Sequence, residues 1–264
     1  MYAVERQQLI ERILLQEGRV AVVELARRFD VTTETVRRDL AALEESGALV
    51  RVHGGAVAND ADSTNEPTVL ERTLRHSPAK RAIAVRALAA LGEGFRGSVF
   101  FDAGTTTAAV AEALAARASG QSAAHAHVEA VTHSLTVAPA LAGADGVSLT
   151  VIGGRVRGIT AAAVGAETVG AIDRLRPDVA FVGTNGISAA FGLSTPDPDE
   201  ASVKSAIVRA ARRTVVVSDS SKHDRELLVS FAALSDIDVL VTDAVPSAAF
   251  AAALDEAGVE VWVA

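Results

Sequence analysis

Apolar side chains recur at two different periods in this chain, and the change of period divides it. Leu9, Ile10, Ile13 and Leu14 fall at helical spacing among Glu and Arg, which predicts a first helix stopped by Gly18. Val22, Val23, Leu25, Ala26 and Phe29 form a second amphipathic stretch, and Asp30-Val31 reads as a tight turn. Thr32 or Thr33 is placed to cap a third helix, because a side-chain oxygen there can accept a free backbone N–H. That helix puts Val36, Leu40 and Leu43 on one face, shows Glu34, Thr35, Arg37 and Arg38 on the other, and ends at Gly47. The run Leu49-Val50-Arg51-Val52-His53-Gly54-Gly55-Ala56-Val57 predicts a short hairpin. Residues 58–68, with Asn59, Asp60, Asp62, Ser63, Thr64, Asn65 and Pro67, read as a linker, and helical periodicity returns over 79–91.

From about Gly97 the texture is different. Short apolar runs at 98–101, 130–132, 149–152, 179–183, 214–218, 239–242 and 259–263 alternate with helical stretches that include 107–118, 135–141 and 199–211. Such an alternation predicts an α/β domain whose sheet is largely parallel and covered on both faces. Residues 119–127 are small and polar and read as a loop. The chain thus divides into a helical unit with a hairpin at 1–57, a linker at 58–77 and an α/β domain at 78–264.

Composition narrows the chemistry. No cysteine is present among 264 residues, so a disulfide framework, a thiolate metal site and a cysteine nucleophile are excluded. That usage fits the cytosol. No apolar run approaches the roughly 20 residues of a membrane span, and Met1 to Arg12 mixes too many charges for a signal peptide. The net charge of −8 argues against nucleic acid at first sight. Yet residues 1–57 hold eight arginines against nine acidic side chains, net −1, and the remainder carries the other −7. A DNA reading therefore rests on where the arginines sit.

Two helices around a short turn match the helix-turn-helix plan, whose second helix presents its first residues to base edges. Here those residues are Thr32, Thr33, Glu34, Thr35, Arg37 and Arg38, with Arg51 and His53 on a wing-like hairpin. A plain helical bundle with a solvated arginine face fits the same pattern. Further on, Asp102-Ala103-Gly104-Thr105-Thr106-Thr107 takes a strand through a glycine turn into a helix. A helix N-terminus has unpaired N–H donors and a positive dipole end, so this is a potential anion site, although threonine-rich turns also serve as ordinary caps. Similar turns follow at Gly153-Gly154, at Gly183-Thr184-Asn185-Gly186 and at Asp219-Ser220-Ser221-Lys222. Lys204 and Lys222 are two of only three lysines. Either suits a phosphate, and Lys204 equally suits a solvated helix face.

The string Val31-Thr32-Thr33-Glu34-Thr35-Val36-Arg37-Arg38-Asp39-Leu40, followed by Leu49-Val50-Arg51-Val52 and the exit His53-Gly54-Gly55-Ala56, resembles the winged helix-turn-helix of the DeoR family of bacterial regulators. The turns of the second part resemble that family's sensor domain over about 80–243. The resemblance implies that Arg37 and Arg38 meet double-stranded operator DNA, while Asp39 pins an arginine or its own helix. It also implies a sensor with a ribose-5-phosphate isomerase-like fold and a phosphorylated sugar as effector. On it, Asp102, Gly104, Thr105 and Thr106, with Thr107 and Thr132 beside them, form the phosphate loop and its flank. Gly183, Asn185, Gly186, Glu200, Lys204 and Lys222 line the rest. Where the family has Thr-Asn-Ser or Thr-Asn-Asn, this chain has Thr132-His133-Ser134, which alters what position 133 offers a ligand. Arg155-Val156-Arg157-Gly158 and Phe191-Gly192-Leu193-Ser194-Thr195-Pro196-Asp197 look most like the fructose-operon repressor branch, which implies a fructose phosphate such as fructose 1-phosphate. A homo-oligomer, dimer or tetramer, follows from half-site reading, and neither a cofactor nor a membrane partner is implied. The competing reading is a sugar-phosphate isomerase with Glu200 or Asp219 as base; a two-histidine metal site at His125 and His127 is weaker, for want of a third ligand.

Overall fold

A computed structural model of the chain describes residues 2–17, 19–45, 48–58, 63–64, 66–120 and 127–264. Gly18 and Gly47, read as helix stops, the linker residues Asn59, Asp60, Asp62 and Asn65, and His125 lie outside the described residues. The chain forms two compact units, Met1–Asn65 with Leu70–Ser77, and Glu66–Val69 with Pro78–Ala264.

The first unit contains α1 (Ala3–Glu17), β1 (Arg19–Ala21), α2 (Val22–Phe29), α3 (Thr33–Glu45), β2 (Leu49–Val52) and β3 (Gly55–Ala58). Ile10, Ile13, Leu14, Leu25, Val36, Leu40 and Leu43 meet in one core with Leu49 and Ala56. Asp30 takes a left-handed conformation, φ 52°, and closes α2 by donating its N–H to the last turn. Thr32 caps α3, its Oγ1 accepting the Thr35 N–H at 3.1 Å. The three strands pair antiparallel in the order β1-β3-β2, a sheet one strand larger than the expected hairpin. The glycine pair has a reason at each position. Gly54 turns the chain at φ +82°, and a Cβ on Gly55 would lie 1.9 Å from the Val20 carbonyl oxygen across β1.

Residues 58–77 hold more structure than their polar composition announces. β3 runs to Ala58, the Glu66 side chain is buried, and α4 spans Val69–Leu74. Then come α5 (Ser77–Ala87), β4 (Arg96–Phe101), α6 (Thr105–Gly120), β5 (His127–Thr132), α7 (Ala138–Leu141) and β6 (Val147–Val151). After them the chain forms β7 (Arg155–Arg157), β8 (Ala162–Val164), α8 (Ala166–Ile172), β9 (Val179–Val182), β10 (Gly186–Ser188), β11 (Gly192–Thr195) and α9 (Pro198–Ala210). The last elements are β12 (Thr214–Val217), β13 (Val229–Ala232), β14 (Val239–Thr242), α10 (Ala248–Glu256) and β15 (Glu260–Val263).

Seven of these strands, the seven expected from the apolar runs, form one sheet in the order β15-β14-β12-β9-β4-β5-β6, parallel throughout. Both faces are covered, which explains why the strands read as unbroken apolar runs. Phe100, Ala180, Val216 and Leu240 point to the side of α8, α9 and α10. Val99, Phe101, Phe181, Val215 and Val241 point to the side of α5, α6 and α7. Two small antiparallel sheets, β7-β8 and β10-β11-β13, are added beyond the expected architecture.

The order contains a reversal. From β4 the chain steps outward to β5 and β6, then returns to β9 on the other side of β4. In open α/β sheets, such a switch point splays the following loops apart and leaves a crevice at the strands' carboxyl ends.

Candidate functional site

In the first unit, Thr33, Arg37 and Arg38 stand exposed on α3, and Thr35 is half-buried beside them. Thr32 is exposed but its hydroxyl is occupied by the cap and by Thr35 Oγ1 at 2.9 Å. The Arg37 side chain, 63 % exposed, meets Glu34 at 3.6 Å. Arg51 and His53 are exposed on the hairpin, and Glu44 faces the Arg51 guanidinium at 3.6 Å. Asp39 points the other way. It is buried against Arg6, which donates Nε at 2.5 Å and Nη2 at 3.0 Å. This bidentate pair locks α1 onto α3 and leaves the arginine face of α3 to solvent.

In the second unit, the carboxyl ends of β4 and β9 are organised around Asp102. This carboxylate is fully buried at the end of β4. Its Oδ2 accepts the Lys204 ammonium at 2.5 Å and the Gly183 N–H at 3.0 Å, and Oδ1 lies 3.1 Å from His133 Nε2. Burial alone would raise the Asp102 carboxyl, but the Lys204 charge and the His133 ring outweigh it and hold it at about 2. Lys204, 4 % exposed, also donates to the Gly183 carbonyl at 2.9 Å and stands over the Phe231 ring. The solvated-face alternative for Lys204 is therefore excluded: α9 turns it inward onto the switch point.

His133 closes the other flank. Its Nδ1 lies 2.8 Å from the Ala163 carbonyl oxygen, which can only accept, so this nitrogen carries a proton. Its Nε2 lies 3.1 Å from the Ala103 nitrogen as well as 3.1 Å from Asp102 Oδ1. His133 thus faces inward, onto Asp102 and the turn into α6.

The remaining expected residues separate by what their polar atoms already do. Thr105 and Thr106 open α6, and among the described residues their hydroxyls make no hydrogen bond. The first N–H groups of a helix lack intrahelical partners, so this turn has donors to spare. Thr107 is spent on the Gly104 carbonyl at 2.8 Å, and Thr132 on the Phe101 carbonyl at 2.7 Å. Asn185 accepts from Thr195 Oγ1 at 3.1 Å. Gly186 packs so closely that a Cβ would fall 2.5 Å from the Arg225 carbonyl oxygen. Lys222 ends the short 3-10 turn Ser220–Lys222 beyond β12.

Glu200 does not point into this group. It accepts Arg157 Nη1 at 2.8 Å, and Arg157 also holds Glu66 at 2.8 Å and Asp197 at 3.2 Å. Sequence reasoning missed this cluster, because Arg157 is 43 residues from Glu200 and 91 from Glu66. One signal was available for its base. Asp197-Pro198-Asp199-Glu200 is a helix start with cap and proline, and Asp197 Oδ1 indeed accepts the Glu200 N–H at 3.0 Å.

Residues 6–62 match the family described as the DeoR-like helix-turn-helix domain, and 75–244 match the DeoR C terminal sensor domain. The chain is similar to the uncharacterized HTH-type transcriptional regulator FruR of Bacillus subtilis (strain 168), 34 % identical and covering 92 % of either chain. It is 32 % identical to the glycerol-3-phosphate regulon repressor of Escherichia coli (strain K12), over 93 % of both. Ribose 5 phosphate isomerase A from Neisseria gonorrhoeae is similar over 55 % of this chain and 52 % of its own, at 18 % identity and a TM-score of 0.38. That value carries no argument about this chain, whose α/β class rests on its own sheet. No described helix is long and apolar enough to cross a membrane.

Proposed function

Because this chain belongs to the DeoR family of DNA-binding transcriptional regulators, we propose that it represses a sugar uptake or catabolism operon and answers to a phosphorylated sugar. It is a regulator and not an enzyme. The observation that carries the sensing half is the open first turn of α6 beside the buried Asp102–Lys204 pair, at the reversal of the sheet. The free N–H groups of that turn, with the hydroxyls of Thr105 and Thr106, suit the oxygens of a phosphate. Lys204 and Lys222 add positive charge, Asp102 stays an anion at neutral pH and suits a sugar hydroxyl, and Gly183, Asn185 and Gly186 bound the crevice. Of the two bases an isomerase reading offers, Glu200 is fastened to Arg157, and Asp219 accepts the Ser221 N–H at 3.2 Å.

In the reading half, Thr33, Thr35, Arg37 and Arg38 meet base edges and phosphates, with Arg51 and His53 on the flanking backbone. A dimer or tetramer in the cytoplasm would place two such helices on an operator's half-sites. The relatives' names support a sugar or polyol phosphate operon, and the fructose-branch motifs put fructose 1-phosphate first among the candidates. The test is a thermal-shift screen of phosphorylated sugars with unphosphorylated sugars as controls. A rise in Tm for one phosphorylated sugar is expected; a protein that binds DNA but is shifted by none of them overturns the sensing half.

A further inference from the structure

Two strings that the switch-point crevice leaves without a part are Arg155-Val156-Arg157-Gly158 on β7 and the approach to α9 at Thr195-Pro196-Asp197. The fold brings them together. Arg157 reaches Glu200 and Asp197 on the first turn of α9, and Arg155 meets Asp199. The other side of the Arg157 guanidinium is taken by Glu66, through Nη1 at 3.2 Å and Nη2 at 2.8 Å. Glu66 begins the segment Glu66–Val69, which packs with the second unit although the chain on either side of it belongs to the first. The far end of that segment is held as well, by the Val69 N–H on the Ile159 carbonyl at 3.0 Å.

The chemistry of this clasp is that of a fixed cation. Burial would lower Arg157, and Glu66 and Glu200 raise it well above the ordinary arginine value. A planar guanidinium can hold two carboxylates in fixed directions, which a lysine cannot. On α9, Glu200 stands one helical turn before Lys204. A ligand that engages Lys204 therefore acts on the same two turns of helix that anchor Arg157.

We propose that Arg157 relays effector occupancy to the DNA-reading unit, by fastening Glu66, on the chain that leads out of that unit, to Glu200 on the helix that carries Lys204. The relay rests on the phosphorylated-sugar reading above. Coupling of this kind requires that the ligand favour one arrangement of a two-state element over the other, and the clasp supplies a contact that an effector-induced shift of α9 would make or break.

The experiment uses the full chain, a duplex that the wild-type protein selects from a random-sequence library, and fructose 1-phosphate, glycerol 3-phosphate and ribose 5-phosphate as probes. Thermal shift reads ligand binding, and the ratio of duplex Kd with and without ligand reads coupling. Glu66→Gln and Arg157→Lys are compared with wild type. In both variants the ligand's thermal shift is expected to persist, while a coupling ratio of about 5–150-fold in wild type falls to within about twofold of unity. Wild-type coupling in both variants overturns the relay alone. A wild-type chain shifted by none of the sugars overturns the sensor reading and the relay with it. Because Glu66→Gln leaves Arg157 paired with Glu200, it keeps the test decisive should Arg157→Lys fail to fold.

Discussion

Asp102 and Lys204 form a buried ion pair, and buried pairs are unforgiving when one partner is removed. Lys204→Met is expected to cost about 3–5 kcal/mol, read by urea unfolding at neutral pH. The pair also sets an acid dependence. Asp102 is held at about 2 against an ordinary 3.8, so the unfolded chain binds the proton first as pH falls. The stabilisation is complete above the ordinary value and is withdrawn as pH drops from 3.8 towards about 2. Asp102→Asn should flatten the stability curve in that window; an unchanged acid limb would show that the carboxylate is not ionised in the fold. Arg37 presents the opposite case, an exposed side chain paired weakly with Glu34. Arg37→Ala is expected to leave stability within about 0.5 kcal/mol and to weaken operator binding by about 1–3 kcal/mol in a gel-shift titration.

The elements explain which of these residues were legible. α3 announces itself by its cap, its apolar stripe and its arginine face, all of them local signals, and the seven central strands by their apolar runs. The two small antiparallel sheets do not. β7-β8 and β10-β11-β13 are short segments stabilised by partners across the fold, and Gly186-Ile187-Ser188 carries no alternation that would mark it as a strand. β1 is hidden for the same reason, since its pairing partner β3 lies beyond two helices. The glycine pair of the hairpin separates two physical demands in one measurement. Gly54→Ala is expected to cost about 1–2 kcal/mol, the strain of a left-handed residue. Gly55→Ala should cost more, because the Val20 carbonyl must move, and a smaller effect in thermal unfolding of the chain would contradict the register of β1 on β3.

The charge of −8 belongs to the molecule as a whole, and its distribution decides its meaning. A nearly neutral reading unit attached to an acidic domain gains little from general attraction to DNA, so specific contact must come from a few placed side chains. With Arg37, Arg38 and Arg51 as the basic groups on the reading face, the slope of log affinity against log salt should be no steeper than about −3 per unit. A markedly steeper slope in a fluorescence-anisotropy titration would mean that other basic groups meet the phosphates.

Local chemistry written in neighbouring residues was enough to mark the helices of the first unit and the parallel α/β class and to exclude thiol chemistry, while the helix-turn-helix reading needed the family resemblance beside it. Periodicity, caps and glycine turns act over a few residues, and a linear string records them in full. The direction in which a long polar side chain is spent is a different matter. Lys204 could be read as solvated or as a phosphate partner, Glu200 as a pocket wall, and Glu66 as part of a polar linker, until the sheet's reversal set β4 against β9 and β7 beside α9. Those pairings join residues 43 to 102 positions apart, and a buried charge finds its partner through the topology of the fold and not through its neighbours in the chain.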